Sequence, residues 1–130
     1  MERINNEALR ASDDAAQAAG TGAPRVTLAN IEARIVGENY FTAGDAAIAL
    51  GQPNHTSLHL LTLCVLILDN GFTVTGESAC ASPENFNAQF GRELARKHAV
   101  EKVWTLEAYL LRERLHAATR AGEALSASAG

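Results

Sequence analysis

Eleven consecutive residues, Leu58 to Leu68, read LHLLTLCVLIL. A segment that is apolar all round has no face to offer water, so it is a buried helix or a buried strand. Thr56 or Ser57 can cap a helix here, and Asn70-Gly71 can end it. The rival is a hairpin, CVLIL and FTVT across the Asn-Gly turn. The Leu-rich composition and the length of the run favour the helix. The run contains His59 and is shorter than the roughly 20 residues a membrane span needs. It is too greasy for the surface of a lone small domain, so it belongs to a core or partly to an interface.

The rest of the 130-residue chain arranges itself around that run. Residues 1–25 are rich in Ala, Asp, Asn and Gln, show no apolar stripe to dock them, and are expected to be a flexible arm ending in GTGAP. The polar opening MERINNEALRASDD is no signal peptide. A single domain over residues 26–118 is expected, with residues 119–130 as a second flexible segment. Thr27 is a candidate N-cap for a helix carrying Leu28, Ile31 and Ile35, ended by Gly37 or Asn39. NYFTAGDAAIAL starts like a short strand and ends like a helical turn, and GQPN breaks the chain. FTVTGES reads as a strand. Ser82, Pro83 and Glu84 read as the start of a helix running to about Val103. A last helix follows after a bend at Trp104-Thr105, with Trp104, Tyr109 and Leu110 packing in a core or interface. The fold class is α+β: a small helical domain with a short antiparallel β element and long C-terminal helices, oligomeric.

Charge narrows the function classes. The formal net charge is -4, which argues against general duplex binding, because that rests on many Lys/Arg–phosphate contacts. Two cysteines, Cys64 and Cys80, make neither a disulfide framework nor a metal motif, and a reducing cytoplasmic setting follows. His55, His59, His98 and His116 lack zinc-protease spacing, and TGES is no phosphate-binding loop. No enzyme signature emerges, and no cofactor or metal is expected.

The basic residues gather in the last third of the chain, and two of them stand out. Glu93, Lys97 and Glu101 are four apart and neutralise one another. Arg92 and Arg96 are also four apart. Arg92 has no acid within helical reach, and Arg96 has only Glu93. Their helix sector continues as Ala99 and Val103, a poor place for cations without an anion. Two guanidinium forks suit phosphate oxygens or a base face. The bland alternative is pairing with distant acids such as Glu77 or Glu107, or solvent exposure. Ser78 and Ser82 add hydroxyls near the helix start, and Phe72 is either a stacking platform or an ordinary core aromatic.

The stretch LLTLCVLILDNGFTVTGESACASPENFNAQFGRELARKHAVEKVWTLEAYLLRERL resembles a small tailed-phage and prophage family named after products of two enterobacterial phages. The apolar run into NGFTVTGESA, the SPENF start, the core from Gly91 to Ala99 and the W-x-L-E-x-Y-L-L ending carry the likeness. VTLANIEARIVGENYFTAGDA looks like the same family's first half, so about residues 26–115 are covered. Many members carry Pro where Thr105 stands. That family is similar to the first class of Thoeris anti-defence proteins, phage-encoded sponges. These bind glycocyclic ADP-ribose, and some also take cyclic di- or trinucleotides from cGAS-like enzymes. They hold the signal without cleaving it, and assemble as dimers and often hexamers with pockets between subunits. The resemblance implies a non-enzymatic, cytoplasmic, self-associating binding protein of the infected or lysogenic host, with no membrane or duplex partner. It implies Phe72 stacking on a base, Arg92 and Arg96 on phosphate or base, and Ser82 with Asn85 at the rim. A phage accessory protein that binds a host protein is the alternative.

Overall fold

The computed structural model describes residues 7–20 and 22–129. In chain order these form α1 (Glu7–Ala19), α2 (Leu28–Arg34), β1 (Ile35–Thr42), α3 (Ala43–Ala49), β2 (Leu61–Leu68), β3 (Thr73–Ala79) and α4 (Ala88–Ala129). Short 3₁₀ turns at Thr56–Leu60 and Pro83–Asn85 join α3 to β2 and β3 to α4. The strands form one antiparallel sheet in the order β1-β2-β3. The fold is α+β, as expected.

The apolar run is the central strand and not a helix. Its first residues close a 3₁₀ turn, and Leu61–Leu68 pair with β1 on one side and β3 on the other. The length of the run misled because it spans two elements. Alternation survives within it. Thr62, Cys64, Leu66 and Leu68 are buried, whereas Leu61, Leu63, Val65 and Ile67 are half-buried on the opposite face. The Asn70-Gly71 turn therefore closes the hairpin, with Gly71 at φ 87°, a left-handed conformation that glycine adopts without a Cβ penalty.

One layer of helix covers the buried face. Ala95, Ala99, Val100 and Val103 of α4 are fully buried in the same cluster as Ile31, Ile35, Cys64, Leu66 and Val74. Close approach depends on Gly76, where a Cβ would run into the Ala95 carbonyl oxygen and the Ala99 amide. α4 starts later than Ser82. Ser82 makes no side-chain cap bond, whereas Asn87 Oδ1 accepts the Phe90 N–H at 2.9 Å, the geometry of an N-cap. It then runs 42 residues as one helix, so the expected last two helices are a single element through Trp104-Thr105. The Thr105 hydroxyl bonds back to the Glu101 carbonyl at 3.2 Å, within the helix.

At the other end of the chain, Thr27 caps α2 through a reciprocal box with Asn30, and Thr42 caps α3 through one with Asp45. The first of these was expected. α2 ends at Arg34, earlier than Gly37, because β1 begins at once with Ile35 in the core. Part of the expected flexible arm is helix α1. Its Leu9 is buried, and Asp13 Oδ1 accepts the Leu28 N–H at 2.9 Å and pairs with Arg25 at 3.2 Å. A single apolar residue and one carboxylate make the attachment, so no stripe was there to read. The expected flexible end is helical to Ala129, with residues 112–127 exposed. The expectation for residues 1–6, 21 and 130 lies outside the described residues.

Candidate functional site

The five residues singled out from the sequence do not meet in one protomer. Phe72 sits at the β2–β3 turn and is 57% exposed, so it is no core aromatic. Ser82 and Asn85 lie beyond the other end of β3. Seven strand residues separate the two places, roughly 23 Å at the usual strand rise.

Arg96 departs most from expectation. Its side chain is 1% exposed, and it is fully engaged. Nε donates to Glu38 Oε1 at 2.7 Å, and Nη2 donates to Glu32 Oε2 and Oε1 at 3.0 and 3.2 Å. The Tyr40 hydroxyl donates to the same Glu38 oxygen at 2.8 Å. Burial disfavours the guanidinium charge, but the hydrogen bond to Glu38 and the charges of Glu32 and Glu38 outweigh it and raise the Arg96 pKa. Burial likewise pushes the nearby Cys64 thiol up to about 11. Arg96 is thus a buried tie between α2, β1 and α4, and not an unneutralised cation. Its acids lie 58 and 64 residues away in sequence, beyond any helical-spacing argument. Glu107 and Glu77, named as candidate partners, pair instead with Arg34 at 2.6 Å and Lys102 at 3.9 Å.

Arg92, one turn earlier, is exposed and makes no ion pair with a described residue. Hydrogen bonds from the Thr42 backbone and hydroxyl hold the Asp45 carboxyl below its ordinary range, and the Arg92 charge adds a smaller push in the same direction. Arg92 thus lies within charge range of Asp45 at the start of α3, and it is not among the residues lining the cavity that Asn85 reaches.

That cavity, of about 330 Å³, lies between the β3–α4 connection and the first turns of α4. Leu60, Thr62, Cys80, Phe86, Phe90 and Leu94 form most of its wall, and Asn85 and Gly91 also reach it. The volume falls at the low end of the about 300–1,000 Å³ typical of small-molecule sites. Thr62 is 3% exposed, and its hydroxyl has no hydrogen-bond partner among the described residues. Sequence reasoning missed Thr62, Phe86 and Phe90 because only the docking of α4 on β2 and β3 brings them together. A second cavity of about 300 Å³ lies by Arg25, Arg34 and Glu107. Its charges are largely satisfied internally, since Arg34 bridges Asp69 at 3.1 Å and Glu107 at 2.6 Å.

The remaining candidates are structural. The His59 ring packs on Gly44, and its Nε2 lies 2.9 Å from Asn54 Oδ1. His98 Nδ1 donates to the Glu77 carbonyl at 2.7 Å. Trp104 packs against the core, whereas Tyr109 and Leu110 are 68% and 40% exposed. Among the described residues, no group of three or more His, Cys, Asp or Glu is placed to hold a metal ion. No helix among them is long and apolar enough to cross a membrane.

No curated protein and no solved structure matches the chain. The model of the Phage protein (N4 Gp49/phage Sf6 gene 66) family matches residues 26–115, a span holding the whole sheet, the Arg96 tie and Arg92, and the chain belongs to that family.

Proposed function

We propose that this phage protein is an anti-defence sponge. It binds cyclic nucleotide immune signals, glycocyclic ADP-ribose first and cyclic di- or trinucleotides second, and withholds them without cleavage in the cytoplasm of the infected or lysogenic host. The observation that carries this reading is a pair of features on the first turns of α4: the exposed Arg92 guanidinium, which makes no ion pair with a described residue, and, on another face of the same helix, an uncharged cavity with Phe86 and Phe90 in its wall. Such a pair suits a ligand with an anionic part and a flat part. Ser82 and Asn85 serve as the polar rim. Arg96 positions the helix and does not touch the ligand. Phe72 lies too far along β3 to join this cavity within one chain, so a base-stacking role for it requires a second copy, and the sponge acts as a dimer or larger ring.

The test is calorimetry with a panel of cyclic nucleotides, followed by heat denaturation and chromatography of the released ligand. The expected result is binding and recovery of the ligand intact. A chemically changed ligand would make the protein an enzyme, and no binding across the panel would end the sponge reading. The second reading, a host-protein binder, draws on the far part of α4, where Tyr109, Leu115 and Leu125 are exposed by 68%, 38% and 72%. It predicts that truncation after Glu107 removes activity in the host while nucleotide binding is absent throughout.

A further inference from the structure

We infer that the cavity between the β3–α4 connection and the first turns of α4 is a ring-binding subsite, and that Thr62 is its specificity-determining donor. The inference rests on the nucleotide reading for the identity of the ring, a purine.

The wall of the cavity carries no charged side chain. Leu60, Leu94, Phe86 and Phe90 make it mainly apolar. A phosphate would be desolvated there without a counter-charge, which is strongly unfavourable. The anionic part of a ligand therefore stays outside, and the uncharged ring goes in.

Inside, the notable polar group is Thr62. It sits on β2 directly opposite Ser78 in the strand register, and both residues line the cavity. A buried hydroxyl without a partner lowers stability, and such groups are rare enough to call for an explanation. Gly91 lies across from it, where a Cβ would come within 2.9 Å of Thr62 Oγ1. The missing side chain leaves the threonine room to turn its hydroxyl toward a ring acceptor. A ring nitrogen or carbonyl oxygen would satisfy the hydroxyl, and a ring without an acceptor would leave it unmatched.

The test uses two probes, glycocyclic ADP-ribose and phosphate-free adenosine, against wild type, Thr62→Val, Thr62→Ser and Arg92→Ala. Valine keeps the shape of threonine and removes the donor. The expected result is that T62V binds glycocyclic ADP-ribose about tenfold more weakly, while its melting temperature stays level or rises because an unmatched hydroxyl has gone. T62S, which keeps the donor, binds within about threefold of wild type. Adenosine shifts the NMR signals of cavity residues in wild type and R92A and not in T62V. Equal binding of glycocyclic ADP-ribose by T62V and wild type would overturn the assignment alone, leaving the hydroxyl to water only. A parallel fall in affinity and melting temperature would also overturn it, as a packing effect. Failure of the wild type to bind any cyclic nucleotide would instead remove the sponge reading on which the assignment rests.

Discussion

Arg96 and Arg92 leave α4 one turn apart and meet opposite surroundings. Around Arg96, α2, β1 and α4 converge, and two carboxylates and a tyrosine close over the guanidinium. Around Arg92, among the described residues, no carboxylate closes in, and the side chain faces solvent. The difference separates two roles that spacing alone runs together. A like-charged pair at i,i+4 suggests a single anion site, but here one member is consumed in holding the fold, and the other is the one the proposed function assigns to the ligand.

The largest break in this comparison is Arg96→Ala. It leaves Glu38 and Glu32 facing each other at a nearly dry junction, with side-chain exposures of 14% and 28%. Removing one partner of a buried ion pair costs about 3–5 kcal/mol, and the partial exposure of Glu32 places this case near about 3. Urea denaturation should show a midpoint shift of that size. A change within about 0.5 kcal/mol, the range of an ordinary surface substitution, would mean that the tie is ornamental. Replacing Arg92 and Arg96 together would not test binding, because it would confound the proposed ligand site with the fold.

Asn87→Ala is smaller and acts on the Arg92 side only. Loss of the cap should cost about 1 kcal/mol and loosen the first turn of α4. Hydrogen exchange should accelerate at Phe90 and leave Val100 unchanged. Equal acceleration at both would mean that the first turn of α4 and the core open together.

Much of the fold was legible from local chemistry. The Thr27 cap, the strand-to-helix passage at Tyr40–Ala49 and the β3 strand follow from cap residues and alternation that act over a few positions. What was not legible was long-range. The Leu58–Leu68 run is apolar on both faces because β2 is the central strand, and a one-dimensional reading cannot tell that from a buried helix. The Arg96 partners come from α2 and β1. Among the described residues, helix α1 attaches through Leu9 and Asp13, too little to form a pattern. Of the five residues singled out from the sequence, Asn85 alone lines the cavity, whose wall exists only once α4 lies on the sheet.

The two cysteines sharpen the same contrast with the smallest effect. Cys64 is fully buried in the core, and burial raises its thiol from near 9 to about 11. Cys80 is half-buried at the cavity, with its thiol donating to the Ser82 carbonyl at 3.1 Å. A thiol reagent at neutral pH should label Cys80 and spare Cys64. Because the folded value for Cys64 lies above the unfolded one, its contribution to stability is complete below about pH 9 and is lost as pH rises toward about 11. Cys64→Ala should flatten that alkaline decline. Prompt labelling of Cys64 at neutral pH would show the core to be far looser than the packing of Ala95, Ala99 and Val100 implies.

The most direct measurement is a calorimetric titration of wild type and Arg92→Ala with glycocyclic ADP-ribose, with unfolding followed on the same samples. The account predicts that R92A unfolds within about 0.5 kcal/mol of wild type and loses at least about tenfold in affinity, the scale of a charge-assisted hydrogen bond to an anion. An R92A protein that is equally stable and binds the nucleotide as tightly as wild type would contradict it.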